Sequence, residues 1–149
     1  LRRQRQMCIR DRTALVESAS LVQRPVIHGI PAELGPHLGA EKFAEQLASI
    51  GKPDIALLGV ADDGHIASLF PNSTALTASK DAVSVTDSPK EPRGRISCSL
   101  AYLTRATYRI ALQTGHNKRD IFMRLQQGER LPLALLSPTH WFMDYNATR

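Results

Sequence analysis

Residues 54–72 read DIALLGVADDGHIASLFPN, and this stretch decides the fold. Ile55, Ala56, Leu57 and Leu58 form a short continuous apolar run between Pro53 and Gly59, the pattern of a central strand covered on both faces. Asp62, Asp63, Gly64 and His65 follow almost at once. Open α/β sheets bind ligands in the crevice beyond the carboxyl ends of their parallel strands. Two carboxylates and an imidazole in that position predict an active site.

Upstream, Gly35 and Pro36 open a helix with Leu38, Phe43, Ala44, Leu47 and Ile50 on its apolar face, and Gly51 stops it. Before that, Leu15, Val16, Ala19 and Val22 recur at helical spacing behind a Thr13 cap, predicting a helix over residues 13–23. Pro25 ends it, and Val26, Ile27 and Ile30 read as an extended segment. Downstream, residues 72–80 are small and polar, a surface loop, and Val83 and Val85 mark a short strand. The DSPKEPRG segment, 87–94, holds two prolines and reads as turns. Arg95, Ile96, Cys98 and Leu100 suggest a further strand, with a helical turn over 100–106. Tyr108, Ile110, Ala111 and Leu112 form the next strand, ending at Thr114 and Gly115. Helix 117–127 follows with Ile121, Phe122 and Leu125 inward, then a strand candidate from Leu133 to Leu136 and an aromatic segment, 141–145. This alternation predicts a largely parallel sheet.

A length of 149 residues suits one domain. Most of the net charge of +5 sits at one end, where residues 1–12, LRRQRQMCIRDR, carry five arginines against Asp11. The rest is nearly neutral, which disfavours a nucleic-acid partner. The leader lacks the apolar run of a secretory signal, and no stretch approaches the roughly eighteen apolar residues of a membrane span. With Cys8 and Cys98 the only cysteines, a disulfide framework has nothing to build on, and a reducing cytoplasm is expected. Residues 1–12 resemble translated sequencing-adapter sequence. They are expected to be a non-native or disordered leader, with 13–149 a single, partial domain.

A histidine takes and returns protons near neutral pH, and a carboxylate beside it fixes its tautomer. Asp63 and His65 can do this across Gly64, although an Asp-x-His in a loop is more often a solvated turn. Asp62 is expected to face solvent. His28, His37, His116 and His140 are scattered, and no HExxH or CxxC spacing supports a metal. Ser68 and Cys98 lack a nucleophile's setting. Arg95 lies just before a strand, and Lys118 lies at the first turn of a helix, where backbone N–H groups favour an anion. Together they could hold a phosphate, or they are two solvated cations. No nucleotide-binding motif is present.

GVADDGHIASLFPN resembles the signature of the 6-phosphogluconolactonases, G-x-G-x-D-G-H-T-A-S-L-F-P-G. The segments RPVIHGIPAELGP, RISCSL, QTGHNKRDIF and WFMDYNA resemble further family blocks in the same order. The related glucosamine-6-phosphate deaminases follow D-G-H-I-A with F-N-E, and here Phe70 stands at the glutamate position. The resemblance implies a Rossmann-like α/β fold, a mostly parallel sheet with helices on both faces, N-terminally truncated. It also implies hydrolysis of 6-phosphogluconolactone to 6-phosphogluconate in the oxidative pentose phosphate pathway, a lactone hydrolase with no cofactor, no metal and no nucleic-acid or membrane partner. His65 would be the general base, Asp63 its support, and Arg95 and Lys118 the phosphate ligands. Ala61 replaces the family's second glycine and Asn72 the glycine after the proline, which predicts strain wherever φ is positive. The family's first third, with its phosphate loop, is absent, so the chain as given is expected to be weak or inactive. The alternative is a non-catalytic sugar-phosphate-binding or interaction protein of the same fold.

Overall fold

The computed structural model describes residues 25–148. The leader and the helix expected over 13–23 lie outside the described residues. Residues 25–31 form no regular element, and Val26 is 80% exposed rather than paired in a strand.

Helix α1 (Pro36–Ile50) starts on a proline, whose fixed φ suits the first helical position, and ends at Gly51, whose N–H bonds Leu47 O. Its buried residues are Gly39, Ala40, Phe43 and Leu47. Leu38 and Ile50, expected on the same face, are exposed instead. The helix packs on a two-stranded antiparallel sheet of β2 (Ala82–Val85) and β3 (Arg95–Cys98). A side chain at Gly39 would place Cβ 2.5 Å from Ile96 Cδ1 and 2.7 Å from Pro31 O, so this close approach needs glycine.

The main sheet is three-stranded and parallel, in the order β1 (Ile55–Gly59), β4 (Tyr108–Gln113), β5 (His140–Met143). Ala56, Leu58, Ala111 and Trp141 turn one face toward a core filled by three helices. These are α2 (Leu100–Leu103), contributing Leu103, α3 (Arg119–Gln126), contributing Ile121, and α4 (Pro132–Leu136), contributing Leu133 and Leu136. Strand β1 is not central, as the apolar run predicts, but an edge of this described sheet. Ile55 at 59% and Leu57 at 62% exposure show it buried on one face only, and no described element covers the other.

Two further expectations are corrected. The Leu133–Leu136 run is helical, not extended: Pro132 starts a turn that buries Leu133 and Leu136 while Ala134 stays exposed. A four-residue apolar run looks the same in a buried strand and a buried helix, so periodicity could not separate them. Leu100 opens α2 instead of closing β3, because the buried Ser99 hydroxyl accepts the N–H of Tyr102 at 3.0 Å and caps the helix. The loop over 72–80 holds one 3-10 turn, Thr74–Thr77, capped by Ser73. Among the described residues no helix is long and apolar enough to cross a membrane.

Ser99 is fully buried, and its hydroxyl satisfies an N–H that nothing else reaches. Ser99→Ala is expected to cost about 1–2 kcal/mol and lower the thermal midpoint. A midpoint equal to wild type would show that the cap is unimportant.

Candidate active site

The turn after β1 is tight and closed on itself. Val60 N–H extends the sheet by bonding Leu112 O, Ala61 N–H bonds His65 O at 3.0 Å, and Gly64 N–H returns to Ala61 O at 3.1 Å. Gly64 has φ +85°, and a Cβ there would lie 2.9 Å from Leu131 Cδ1, so conformation and space both call for glycine. Behind the turn Ile66, Leu69 and Phe70 are buried pegs in the core that fix His65 from the carboxyl side. The expected strain falls differently from the sequence reading. Ala61 has no positive φ, Asn72 has φ 62°, which asparagine tolerates, and Ala67 carries the unfavourable left-handed backbone, at φ 51°.

This geometry brings Asp63 and His65 together. Asp63 Oδ1 lies 2.6 Å from His65 Nδ1 and also accepts the His65 backbone N–H at 3.2 Å. An ionised carboxylate only accepts, so Nδ1 bears the proton and Nε2 keeps its lone pair. Burial, the largest influence, lowers the pKa of His65; Asp63 opposes this, while the charges of Lys90 and Arg95 reinforce it. The imidazole is therefore neutral at neutral pH. For Asp63 burial pushes upward, but hydrogen bonds from His65 together with the charges of His65 and Lys90 leave its pKa below the usual value. The pair is a carboxylate beside a neutral base.

Cations surround it. Arg95 donates from Nε to Pro92 O at 3.0 Å and from NH2 to Lys90 O at 2.9 Å and Glu91 O at 3.3 Å. Its guanidinium lies 5.3 Å from the centroid of the Phe70 ring, and that ring sits 4.4 Å from the His65 ring. Burial lowers its pKa, and Asp63 and Glu91 raise it. Only NH1 remains for a ligand, so most of the expected phosphate-binding capacity of Arg95 is used to hold a loop. Lys118 is half-buried in a 3-10 turn, His116–Lys118, that leads into α3, and its charge acts on Asp62. Buried Gln113 donates to Lys118 O at 2.9 Å, while Asp144 accepts Gly115 N–H and Ala147 N–H, so this turn is fixed at both ends.

Two cations escaped the sequence reading. Lys90 pairs with Asp62, which is exposed but not unpartnered, and Arg124 bonds Glu129 at 2.6 Å while lining a cleft of about 520 Å³ beside Asp63. Phe70, Ser73, Asp87 and Pro89 are among the other residues of this wall. Lys90 lies in a proline-rich turn 28 residues from Asp62, so no local pattern signals the pairing. Among the described residues no group of three His, Cys, Asp or Glu gathers as a metal site.

A hydrogen-bonded Asp–His pair lies beyond the carboxyl end of a parallel strand in an α/β protein, with the charges of Lys90 and Arg95 acting on it. Its family is shown by comparison: the profile described as glucosamine-6-phosphate isomerases/6-phosphogluconolactonase matches residues 5–144. The chain belongs to that family. It is 34% identical to a 6-phosphogluconolactonase of Homo sapiens over 93% of this chain and 58% of that protein. It is 33% identical to the GDH/6PGL endoplasmic bifunctional protein of Oryctolagus cuniculus over 81% of this chain and 17% of the other. The crystal structure of a devB protein superposes with a TM-score of 0.75 at 31% identity, covering 91% of this chain and 63% of that one. The chain thus spans less than two thirds of the length of each relative.

Gly64→Ala is expected to destabilise the protein by about 2 kcal/mol, from left-handed backbone strain and overlap with buried Leu131. Chemical denaturation measures this, and an unchanged unfolding free energy would contradict the turn geometry.

Proposed function

We propose that the whole protein carrying this chain hydrolyses 6-phosphogluconolactone to 6-phosphogluconate in the oxidative pentose phosphate pathway. The observation that carries this reading is the 2.6 Å contact between Asp63 and a half-buried His65 whose Nε2 is free to accept a proton. His65 Nε2 draws the proton from a water as its oxygen attacks the lactone carbonyl. The tetrahedral intermediate expels the ring oxygen, the ring C–O bond breaks, and the imidazolium returns its proton to that oxygen. Asp63 holds the ring in the required tautomer and offsets the positive charge it gains. Lys118 and the remaining NH1 of Arg95 are the phosphate-binding cations in this account.

Phe70 supports the lactonase over the deaminase within the family. Its ring, 2% exposed, packs against His65 where the deaminase pattern has a glutamate, so no carboxyl group is available from that position. The sequence reading of a cytoplasmic protein with a small-molecule partner belongs to the same proposal.

The test is lactone opening above its spontaneous rate, by the protein extended with its natural upstream sequence. His65→Ala is expected to lose at least about 100-fold in kcat. A rate equal to that of the unsubstituted protein would remove His65 from the chemistry.

A further inference from the structure

The loop joining β2 to β3 delivers a lysine to Asp62 and Asp63. Its backbone is held there by several bonds. Buried Ser88 donates its hydroxyl to Lys90 O at 2.7 Å and accepts Lys90 N–H at 3.3 Å. Arg95 adds a bond to the same carbonyl and one each to Glu91 O and Pro92 O, while its guanidinium rests over the ring that supports His65. One arginine thus ties the loop to the shelf on which the base sits.

From that anchored backbone the Lys90 ammonium pairs with Asp62 Oδ1 and reaches Asp63 Oδ2 at 3.6 Å. The two oxygens of Asp63 are divided: Oδ1 serves the ring and backbone N–H of His65, and Oδ2 faces the ammonium. Exposed ion pairs contribute little stability, typically below about 1 kcal/mol. Stability is therefore a weak reason for a loop pinned this closely to place its cation on this carboxylate. Orientation is a better one, because a carboxylate hydrogen-bonded through Oδ1 and facing a cation 3.6 Å from Oδ2 loses that ion pair if it rotates away from the imidazole.

We propose that Lys90 is a positioning residue, which acts through Asp63 to hold the His65 ring in its working orientation. The proposal rests on the reading of His65 as the general base. The charged groups acting on His65 are Asp63 from its own turn, Lys90 from the β2–β3 loop and Arg95 from β3, and Asp63 in turn meets the charges of Asp62 from the same turn and Arg124 from α3. Lys118 acts one step further out, on Asp62. Lys90 and Arg95 both oppose protonation of His65. Removing Lys90 deletes one of these charges and leaves the negative charge of Asp63 less balanced, so both consequences make His65 easier to protonate.

The test follows the His65 ring protons by NMR through a pH titration of the 149-residue chain, with the His65 signal assigned by its absence from His65→Gln. Lys90→Met is expected to raise the titration midpoint, with Lys90→Arg returning it toward wild type and the thermal midpoint unchanged in both. A His65 midpoint that is unmoved or lowered in Lys90→Met, or raised equally in Lys90→Arg, would overturn the proposal. The readout is independent of turnover. A shifted midpoint with no lactone opening by the whole protein sinks the lactonase reading and leaves Lys90 only its effect on His65, whereas an unshifted midpoint beside an active whole protein sinks the role of Lys90 alone.

Discussion

The hydrogen bond between Asp63 and His65 depends on a backbone only glycine adopts cheaply, and the rest of the molecule is arranged to keep it. Gly64 at φ +85° folds the chain so that side chains two residues apart meet at 2.6 Å. That turn would wander without anchors. Sheet pairing holds it in front, through Val60 N–H on Leu112 O, and the fully buried Ile66 and Leu69 hold it behind. A small motif therefore gains rigidity from the core, as functional sites on short loops require.

Burial and charge then act in opposite directions on the same ring. Burial favours the neutral imidazole, Asp63 favours the charged one, and burial prevails, helped by Lys90 and Arg95. A base has to be neutral before it acts, and it needs a carboxylate nearby once it has taken a proton. Arg95 contributes to this balance while spending most of its donors on the loop that carries Lys90. Its observed part in the site is thus architectural.

How much of this was legible in the sequence follows from the range of each interaction. The β1 strand, the Gly35 to Gly51 limits of α1 and the Asp63–Gly64–His65 turn are local, and residue pattern alone located them. Long-range partnerships were not legible: Lys90 meets Asp62 across 28 residues of chain, and a proline-rich turn gives no sign of it. The Leu133–Leu136 segment failed for another reason, since a short apolar run fits either secondary structure until Pro132 is seen to start a helical turn. The apolar run in β1 predicted burial on both faces, whereas Ile55 and Leu57 stand exposed with no described element over them.

The most direct measurement is the NMR titration of the His65 ring in the unsubstituted chain and in Asp63→Asn. The account predicts a midpoint below the ordinary histidine value of about 6.5, and a further fall when the Asp63 charge is removed. A midpoint at or above that value, or one indifferent to Asp63→Asn, would contradict a buried neutral base supported by its neighbouring carboxylate.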